Sequence, residues 1–571
     1  MAAGLALAVL GSARAIEPPA APAPVRPASL PPGILDHLPP PLPPPAPPPL
    51  SAPAATAAAD PLELLWGHRL AFGPGGQPLI TILVAGGLEE ASLRPLEPVR
   101  VRLRGGPELE LPAGVRLVVR ARDATPARIA HAPLLAEVAW ADRGALDEAR
   151  RAWEGRGIRV RTRMIGDVYG IAGKVIDTRR LRLLAAGDRG EAEAAALAGE
   201  LARRTGDPVA LDAEVVARPA GRLRVEGEEG ALGDADEVVE IEPLAPAGGG
   251  DGIAVEAGER PGRRYRGRLL VTLDAAGRIA VVDAIELEEL LRGLVPSEMP
   301  AGSPMEALEA QAVTARSNVL AQLGTRHLDG PYLLCSEVHC QAYAGVGAET
   351  ARTDRAVRRT AGEALFGRAD RTLVDGVYSA TCGGHGESND AVWPGRPDPS
   401  LRGHLDVRGG AAEPPDGALR GERALRAFLV DPPDAWCRRP GSPGANRFRW
   451  ERRLGQAELD RLVAGLGVGA GARLEVVERG ISGRAIQLRV AGAGGAVVIP
   501  GELRIRRLLG NLPSSMFVVD PAPGGVLLRG GGWGHGVGMC QWGAVGRAGA
   551  GQGYREILRA YFSGAEVARI Y

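Results

Sequence analysis

The sequence LEELLRGLVPSEMP occupies residues 287–300, and SPMEALEAQAVTAR follows it at residues 303–316. The first segment predicts a short helix that begins near Ile285. Proline has no backbone N–H to donate, so Pro296 is expected to end that helix. We therefore expect two helices joined by a short connector that is bounded by prolines.

The start of the second segment indicates where its helix begins. Ser303 is a suitable N-cap, Pro304 suits the first helical position, and Glu306 would complete a capping box. This helix is expected to run to about Gln322. The connector between the two helices is then short and fixed at both ends.

Glu298 lies in the predicted connector, between Pro296 and Pro300. A carboxyl held there beside Met299 and Leu294 would be partly removed from water. Such desolvation raises a carboxyl pKa towards neutrality, which suits a general acid. Taken alone, a glutamate in a connector is more commonly exposed, so the assignment depends on the other motifs of the chain.

A hairpin precedes these helices. Strands are predicted at residues 265–273 and 279–285, on either side of the turn DAAG at residues 274–277. Further upstream, short apolar or alternating runs lie between glycine and proline breaks. They predict strands at residues 79–84, 99–103 and 115–120.

The middle of the chain has a different rhythm, β-α-β-β-α-β within about 85 residues, which is the order of a split βαβ sandwich. Its strands are predicted at residues 134–140, 158–165, 179–185 and 211–217, and its helices at residues 145–153 and 191–204. The segment resembles the SPOR family of sporulation-related repeats, whose members bind glycan strands stripped of stem peptides. That resemblance rests on element order, and a ferredoxin-like domain of unrelated role is the alternative.

Together these patterns predict the α+β class, with a mixed, β-rich core, helices packed around a cleft, and an inserted βαββαβ subdomain. A chain of 571 residues is long enough for several domains. The predicted bounds are an export signal at 1–15, a Pro/Ala-rich linker at 16–60, an N-terminal β segment at 61–125, the SPOR-like domain at 126–222, a linker at 223–264 and the catalytic domain at 265–571.

The N-terminus and the charge balance indicate the compartment and exclude one class of partner. Residues 1–11 are small and apolar, and Ala13-Arg14-Ala15 resembles a signal-peptide cleavage site. We expect export to the periplasm or cell envelope; a frayed apolar terminus on a cytoplasmic protein is the alternative. No apolar run reaches the ~18–20 residues of a membrane helix. With 68 basic and 68 acidic residues, nothing favours nucleic acid as a partner.

His327, Cys335, His339 and Cys340 offer two imidazoles and two thiolates within a short stretch. This soft set of four ligands suits tetrahedral zinc. All four positions would be filled by protein, so the zinc would be structural and a zinc-dependent hydrolase is disfavoured. The alternative is a Cys335–Cys340 disulfide with solvated histidines.

The sequence WGHGVGMCQW at residues 533–542 is rich in glycine, which lets backbone approach a ligand closely. Trp533 and Trp542 are candidates to stack on sugar rings. His535 and Gln541 are candidates to bond hydroxyls or to orient Glu298. No Lys-Ser/Thr follows the glycines, which argues against a phosphate-binding loop; a buried turn with core tryptophans is the alternative.

Ser379, Thr381 and His385 form a further cluster of candidate cleft residues. The chain has no G-x-S-x-G elbow, which argues against a serine hydrolase. A disulfide between Cys382 and Cys437 would need an oxidising compartment and is the less favoured interpretation of these isolated cysteines.

Four motifs, in this order, closely resemble the stage II sporulation protein D/LytB (SpoIID/LytB) family. They are LEELLRGLVPSEMP continuing into EALEAQAVTAR at residues 287–316, CSEVHCQAY at 335–343, YSATCGGH at 378–385 and GHGVGMCQWGA at 534–544. The likeness covers residues 265–571. Residues 79–125 would supply the family's opening strands, and some members bind zinc near the Cys/His cluster.

The resemblance implies a lytic transglycosylase that acts on peptidoglycan after an amidase has removed its peptides. In that family the glutamate of the S-E-M-P motif is catalytic, which is Glu298 here. One carboxyl would first protonate the glycosidic oxygen between N-acetylmuramic acid and N-acetylglucosamine. It would then deprotonate the C6 hydroxyl that closes a 1,6-anhydro ring. Glycosidases that use water or a covalent intermediate need two carboxylates; an internal nucleophile relaxes that need.

Two positions depart from the family pattern, Glu309 in place of a lysine and Asn318 in place of an aromatic residue. Glu309 and Arg316 are seven residues apart and so share one helical face, which is expected to form part of the cleft wall. Glu309 would then alter substrate contacts, assist Glu298 as a second acid, or reduce activity. The alternative to an enzyme is a non-catalytic, glycan-binding enhancer of a cell-wall amidase.

Overall fold

The computed structural model describes residues 60–571, apart from residues 69, 74, 206–208, 245–249, 394, 410–417 and 439–444. The predicted export signal and nearly all of the Pro/Ala-rich linker lie outside the described residues. Strands dominate, at 39% against 26% helix, as expected for an α+β protein. No helix in the described part is long and apolar enough to cross a membrane.

The described part of the chain begins with a short helix that Asp60 caps by accepting a hydrogen bond from the Leu62 N–H at 3.1 Å. Strands then follow in quick succession, several of them alternating between buried and exposed positions. These elements are α1 (Pro61–Trp66), β1 (Ala71–Phe72), β2 (Pro78–Leu88), β3 (Glu90–Pro95), β4 (Val99–Leu103), β5 (Glu108–Leu111) and β6 (Leu117–Thr125).

The middle segment has the element order β-α-β-β-α-β, with a small hairpin inside it. Its main sheet runs β12-β7-β11-β8, with antiparallel neighbours. Leu146, Trp153 and Leu201 of its helices pack against Leu181 and Leu183 of that sheet. The likeness to SPOR domains stays a prediction. The elements are β7 (Arg128–Ala139), α2 (Arg143–Gly155), β8 (Val160–Ile165), β9 (Val168–Ile171), β10 (Lys174–Asp177), β11 (Arg180–Ala185), α3 (Glu191–Thr205) and β12 (Ala210–Ala217).

The inserted hairpin β9–β10 belongs to the main core rather than to the middle sheet. Tyr169, Ile171 and Ile176 are buried there. The Gly166 N–H donates to the Gly324 carbonyl at 2.9 Å. The middle segment is therefore attached to the part of the chain that carries the sequence motifs.

Residues 223–264 were predicted to be a linker, and that prediction is wrong. Leu223, Val225 and Ile241 are fully buried in strands of both large sheets. The glycine- and acid-rich composition masked short alternating runs that fit a half-buried strand. The elements from here are β13 (Ala220–Gly227), β14 (Gly230–Asp236), β15 (Val238–Pro243), β16 (Ile253–Val255), β17 (Arg263–Tyr265), β18 (Arg268–Leu273) and β19 (Ile279–Glu286).

Two large sheets support the motif-bearing helices. One runs β1-β2-β19-β18-β15-β4-β5 and the other β14-β13-β6-β3-β16-β17. Side chains alternate across the first sheet, so Val281 joins the main core while Val282 packs with α1 on the opposite face. That sheet is covered on both faces and gives β19 a fixed end, from which the first motif helix starts.

The helix after β19 continues past Pro296 and includes Glu298, which corrects the predicted connector. Pro296 lies in the last turn, where the Met299 N–H still bonds the Val295 carbonyl at 3.0 Å. Glu306 makes no capping box with Ser303; it accepts a hydrogen bond from the Tyr554 N–H at 2.8 Å. The elements are α4 (Leu287–Glu298), α5 (Met305–Ala321), β20 (Leu334–Cys335), α6 (Ala351–Arg359) and β21 (Glu363–Gly367).

The C-terminal part returns to the main core after building a smaller one. The smaller core is formed around Leu488, Phe517 and Leu528, and the last strand pairs with β21. The elements are β22 (Tyr378–Ser379), α7 (Asn389–Val392), α8 (Glu422–Val430), α9 (Ala445–Phe448), β23 (Arg449–Gly455), α10 (Gln456–Val463), β24 (Arg473–Arg479), β25 (Ala485–Gly492), β26 (Gly495–Pro500), α11 (Glu502–Leu508), β27 (Phe517–Ala522), β28 (Gly525–Gly531), β29 (Met539–Cys540), α12 (Gln541–Gly549), α13 (Tyr554–Tyr561) and β30 (Ala565–Arg569).

A buried carboxylate in the middle sheet provides a stability test. Asp212 accepts hydrogen bonds from Arg163 at 2.7 Å and Arg182 at 2.6 Å, and its side chain is 1% exposed. Asp212→Ala would remove the buried anion that the two cations share and leave them only the more exposed Glu214 and Glu137, so we expect a loss of about 3 kcal/mol of unfolding free energy. Asp188→Ala, which removes the exposed Arg161–Asp188 pair, is the control and should cost less than about 1 kcal/mol. Urea unfolding measures both, and equal losses would contradict this account.

Candidate functional site

Glu298, the last residue of α4, has a carboxyl that is half-buried and hydrogen-bonded. Its Oε1 accepts the Ala342 N–H at 2.8 Å. Burial raises the pKa of this carboxyl above its usual value, and bonds from the Ala342 N–H and the side chains of Tyr378 and Gln541 oppose the rise only in part. Partial burial therefore favours the protonated form of the carboxyl, which still keeps some contact with solvent.

Amide and phenol side chains surround this carboxyl. The Gln541 side chain donates to the Glu298 backbone carbonyl at 3.2 Å and to Gln311 Oε1 at 3.3 Å. The Tyr378 hydroxyl donates to Gln341 Oε1 at 3.0 Å. These polar groups are neutral, so they can orient Glu298 and a sugar without an ion pair that would hold the carboxyl in its charged form.

Four motifs that are distant in sequence meet at this point. Strand β22 pairs in parallel with β29, which puts Tyr378 opposite Met539 and Ser379 opposite Cys540. Gln541 therefore begins α12 directly beside the Tyr378 strand. The approach needs glycine at position 538, where φ is +69° and a Cβ would lie 2.1 Å from the Val377 carbonyl oxygen.

The glycine-rich loop presents aromatic surface near these strands. Trp533 and Trp393 are each 40% exposed, and the rings of Trp393 and His535 lie 4.9 Å apart. The Val537 N–H donates to His535 Nδ1 at 3.1 Å. Burial and the nearby Arg484 lower the pKa of His535 to about 3, so this imidazole is neutral at neutral pH.

Several predicted substrate contacts lie below the surface. Thr381 is fully buried, His385 is 3% exposed and Ser379 is 7% exposed. His385 Nδ1 bonds the Gly386 carbonyl at 2.7 Å. Thr381 and His385 therefore support the loop rather than touch a polymer. Trp542 is half-buried and packs against the main core, so it offers less surface to a sugar than Trp533 does.

The prediction that Arg316 contacts the substrate is also corrected. The guanidinium is fully buried and bonds both Glu288 carboxylate oxygens, at 2.7 and 2.8 Å. A further bond of 2.8 Å reaches the Glu363 carbonyl. Gln311 of the same helix faces Glu298, and five residues turn a helix by about 140° from that direction. Arg316 consequently links α4, α5 and β21 instead of lining the cleft.

Glu309 shares the buried face with Arg316, as the seven-residue spacing predicts. Arg359 Nε lies 2.9 Å from Glu309 Oε1, although the contact lacks the geometry of a hydrogen bond. Burial, reinforced by Glu306, raises the pKa of Glu309 to about 7. Its charged neighbours are Glu306, Arg359 and Glu363, so the carboxyl is not placed to assist Glu298. Asn318, the other departure, donates to Asp375 at 2.6 Å.

The predicted metal ligands His327, Cys335, His339 and Cys340 come together with their donor atoms within 4.8 Å of one another. Both sulfurs are free thiols rather than a disulfide. His339 Nδ1 lies 3.8 Å from one sulfur and 3.7 Å from the other. A tetrahedral zinc would place such nitrogen and sulfur ligands about 3.6 Å apart, so the donor set fits this metal.

Tyr378, Gln311 and Gln341 are site residues that the sequence analysis did not select. Each lies inside or next to a quoted motif: Tyr378 begins YSATCGGH and Gln341 follows the second cysteine of CSEVHC. Their position in motifs was a usable signal. The direction of Tyr378 towards Glu298 depends on the β22–β29 pairing, which joins two strands of two residues each that no hydrophobic pattern identifies.

Comparison with known families places two matches in this part of the chain. Residues 275–366 match the SpoIID family, described as "Stage II sporulation protein". Residues 387–538 match a domain of unknown function, DUF8618. The first match contains Glu298 and the Cys/His cluster, and the second contains Trp393 and most of the glycine-rich loop.

Two curated relatives each match about half of this chain. An uncharacterized protein of Brachyspira hyodysenteriae is 28% identical over 292 residues, which is 50% of this chain and 68% of the relative. An amidase enhancer of Bacillus subtilis is 25% identical over 289 residues, which is 48% of this chain and 39% of the enhancer. A solved structure from Burkholderia pseudomallei, titled "Putative exported protein", matches over 88% of this chain and 93% of its own at 13% identity, and its TM-score of 0.17 is too low to indicate a shared fold.

Glu309 predicts a pH dependence of stability. The folded-state pKa of Glu309, about 7, lies above the ordinary value of 4.5. The stability that the protonated carboxyl contributes to the fold is therefore fully present below pH 4.5 and is lost as the pH rises through 7. Glu309→Gln removes the charge at nearly constant volume. We expect the unfolding free energy of the variant minus that of the native protein to be more positive at pH 8 than at pH 4. Urea unfolding at the two pH values measures this difference. A difference between the two proteins that does not change with pH would refute the raised pKa.

Proposed function

The chain is a SpoIID/LytB-type protein, and on that premise we propose that it is a lytic transglycosylase of peptidoglycan. Its substrate would be glycan strands from which the stem peptides have been removed, and its products would end in 1,6-anhydro-N-acetylmuramic acid. The half-buried carboxyl of Glu298, with its raised pKa and its shell of neutral amides, is the observation that supports this most directly.

The first step needs a proton at the glycosidic oxygen. Burial keeps Glu298 protonated to a higher pH than an exposed glutamate, so the carboxyl can act as general acid. As the proton moves to the oxygen, the bond from C1 of N-acetylmuramic acid to that oxygen breaks. The leaving strand takes the bonding electron pair and the proton, and positive charge develops at C1.

The second step uses the same group in its charged form. The Glu298 carboxylate accepts the proton of the C6 hydroxyl, O6 bonds to C1, and the 1,6-anhydro ring closes. The proton balance returns to its starting point, so one carboxyl suffices. The Ala342 N–H stabilises the carboxylate between the two steps. The Tyr378 hydroxyl would add to this by turning its one proton from Gln341 to the newly charged Glu298.

The surroundings of Glu298 suit a sugar polymer. Trp393 and Trp533 expose ring surface beside the glycine-rich loop, and exposed aromatic surface of this kind commonly marks a binding site. His535 is neutral and its Nδ1 already accepts the Val537 N–H, so Nε2 carries the proton and can donate it to a hydroxyl oxygen without adding charge. A glycan substrate lies outside the cytoplasm, so export of the chain is part of this proposal.

The Cys/His cluster would hold a structural zinc through His327, Cys335, His339 and Cys340. When bound, the metal supplies a cross-link and no step of the reaction. The cluster directly precedes Gln341 and Ala342, whose side chain and backbone contact the site. It would thus fix the loop that holds Glu298 Oε1.

The amidase-enhancer name of the Bacillus subtilis relative favours a second candidate, in which the chain binds glycan strands and assists a cell-wall amidase. That candidate needs the aromatic surface but not a protonated Glu298. Catalysis and binding alone therefore make different demands on one residue, and a substitution there separates them.

Glu298→Gln keeps the size of the side chain but cannot give and recover a proton. We expect formation of anhydro ends on peptide-stripped strands to fall by at least about 10²-fold, while co-sedimentation with the strands remains. Mass spectrometry of the products measures the first effect. Glu309→Gln is the matched control, expected to keep the native rate because Glu309 faces away from Glu298.

Three results would contradict the catalytic proposal. They are reducing ends in place of anhydro ends, native rates in Glu298→Gln, and strands that the native protein binds but leaves uncut. The last of these would instead favour the enhancer function.

Tyr378→Phe tests how the pKa of Glu298 is set. Loss of a hydroxyl that stabilises the carboxylate raises that pKa further. The acid then stays protonated to higher pH, so the alkaline limb of the rate–pH profile should shift upwards. Tyr554→Phe, which removes a hydroxyl bonded to Glu363 at 2.9 Å, should leave the profile in place. An unshifted or downward-shifted limb in Tyr378→Phe would count against this role.

A further inference from the structure

Cys382, Cys437 and Cys540 are isolated in sequence, yet the fold brings them together with Asp406. One donor atom of each lies within 4.8 Å of the other three, and all four residues are buried. The residues come from four separate segments: the YSATCGGH motif, the loop at Asp406, the loop at Cys437 and the start of α12. We propose that these three thiols and one carboxylate form a second metal site, which takes zinc as a structural ion.

The spacing of the donor atoms fits a metal. Cys382 Sγ lies 3.7 Å from Cys437 Sγ and 3.6 Å from Asp406 Oδ2. A tetrahedral zinc separates two sulfur ligands by about 3.8 Å, and a sulfur and an oxygen ligand by about 3.5 Å. A disulfide requires sulfurs about 2.05 Å apart. Soft thiolates with one carboxylate are a suitable set for zinc rather than for magnesium or calcium.

Hydrogen-bond donors converge on the sulfurs. Cys540 Sγ accepts the N–H groups of Cys382 at 3.2 Å and Gly543 at 3.3 Å. The Thr381 hydroxyl, which is fully buried and has no oxygen or nitrogen partner among the described residues, lies beside the Cys437 sulfur. A thiol accepts hydrogen bonds weakly, whereas a metal-bound thiolate carries negative charge that such donors stabilise.

Cations surround the cluster. Arg547 donates to Asp406 Oδ1 at 2.8 Å. Arg484, which is 1% exposed, donates to the Cys382 carbonyl at 3.1 Å, and Arg449 donates to the Gly383 carbonyl at 2.8 Å. Three thiolates and a carboxylate exceed the charge of one zinc ion by two negative charges. These buried or half-buried guanidinium groups would balance that excess negative charge. Neutral thiols, in contrast, would leave much of the positive charge of the guanidinium groups unbalanced.

The proposed metal site would stabilise the candidate active site because its ligands are close in sequence to residues around Glu298. Cys540 immediately precedes Gln541, which bonds the Glu298 carbonyl, and Cys382 lies four residues after Tyr378. Strand β22 carries Tyr378 and strand β29 carries Cys540, and each is only two residues long, so the pair gains little stability from its own hydrogen bonds. A metal joining Cys382 to Cys540 would fix their pairing. The site itself is independent of what Glu298 does.

Metal content tests the inference in the full-length protein. We expect two zinc ions per native chain by elemental mass spectrometry, one for each cluster. Cys335→Ser/Cys340→Ser empties the Cys/His cluster and should keep one ion. Cys382→Ser/Cys540→Ser should also keep one, and a variant with all four substitutions should keep none. If a variant of the second cluster fails to fold, the ion that remains in Cys335→Ser/Cys340→Ser still decides the question.

Thiol counting separates a metal site from a disulfide. Alkylation of the denatured native protein with chelator and without reductant should label all five cysteines. Loss of two labels together with a linked Cys382–Cys437 peptide would overturn the proposal. So would a folded Cys335→Ser/Cys340→Ser protein without zinc.

Asp406→Asn tests the fourth ligand against a matched control. Titration with a competing chelator should show zinc held at least about tenfold more weakly at the second site. Asp434→Asn, a change of the same kind at an exposed side chain nearby, should hold zinc like the native protein. Equal affinities in the two variants would exclude Asp406 from the metal site. None of these measurements depends on glycan cleavage.

Discussion

The site depends on a carboxyl that is kept out of water at the end of a helix. Glu298 is the last residue of α4, where the unsatisfied carbonyls of a helix carry partial negative charge. That position and the loss of solvent both disfavour the carboxylate. Neutral amides and a phenol, rather than a cation, complete its surroundings. An arginine in place of Gln541 would pair with the group and hold it ionised.

Partial burial of the Glu298 carboxyl requires several segments of the chain to pack around it. The two large sheets hold β19, β19 sets the start of α4, and α4 carries Glu298 to the meeting point of β22 and β29. The covered sheet is stable because both of its faces are buried. The segments that close over Glu298 are short strands and loops, so their positions depend on individual contacts.

The sequence was sufficient for the parts of the fold that have regular patterns. The hairpin before α4, helix α5 and the β-α-β-β-α-β order all carry periodicity over many residues, and the structure has them. Residues 223–264 were mistaken for a linker because strands such as β16 are too short to show a period among glycines and acids. Pro296 was taken as a helix end, although the last turn loses only one donor to it.

The sequence identified the site residues as members of motifs, but it did not predict which way their side chains point. Glu309 and Arg316 share a face, as their spacing requires, but that face packs towards Arg359, Glu288 and Glu363. Helical periodicity gives relative directions within one element and says nothing about which neighbour each face meets. Thr381 and His385 were assigned to the cleft as members of the YSATCGGH motif, and both are buried.

The cysteines show how such loops are positioned without secondary structure. Cys340 is followed by Gln341 and Ala342, which contact Tyr378 and Glu298, and Cys540 is followed by Gln541, which bonds the Glu298 backbone. Each half of the shell around the carboxyl therefore lies within two residues of a thiol cluster. A metal bound at each cluster would hold these loops through bonds between side chains, and all five cysteines of the chain lie in these two groups beside the site.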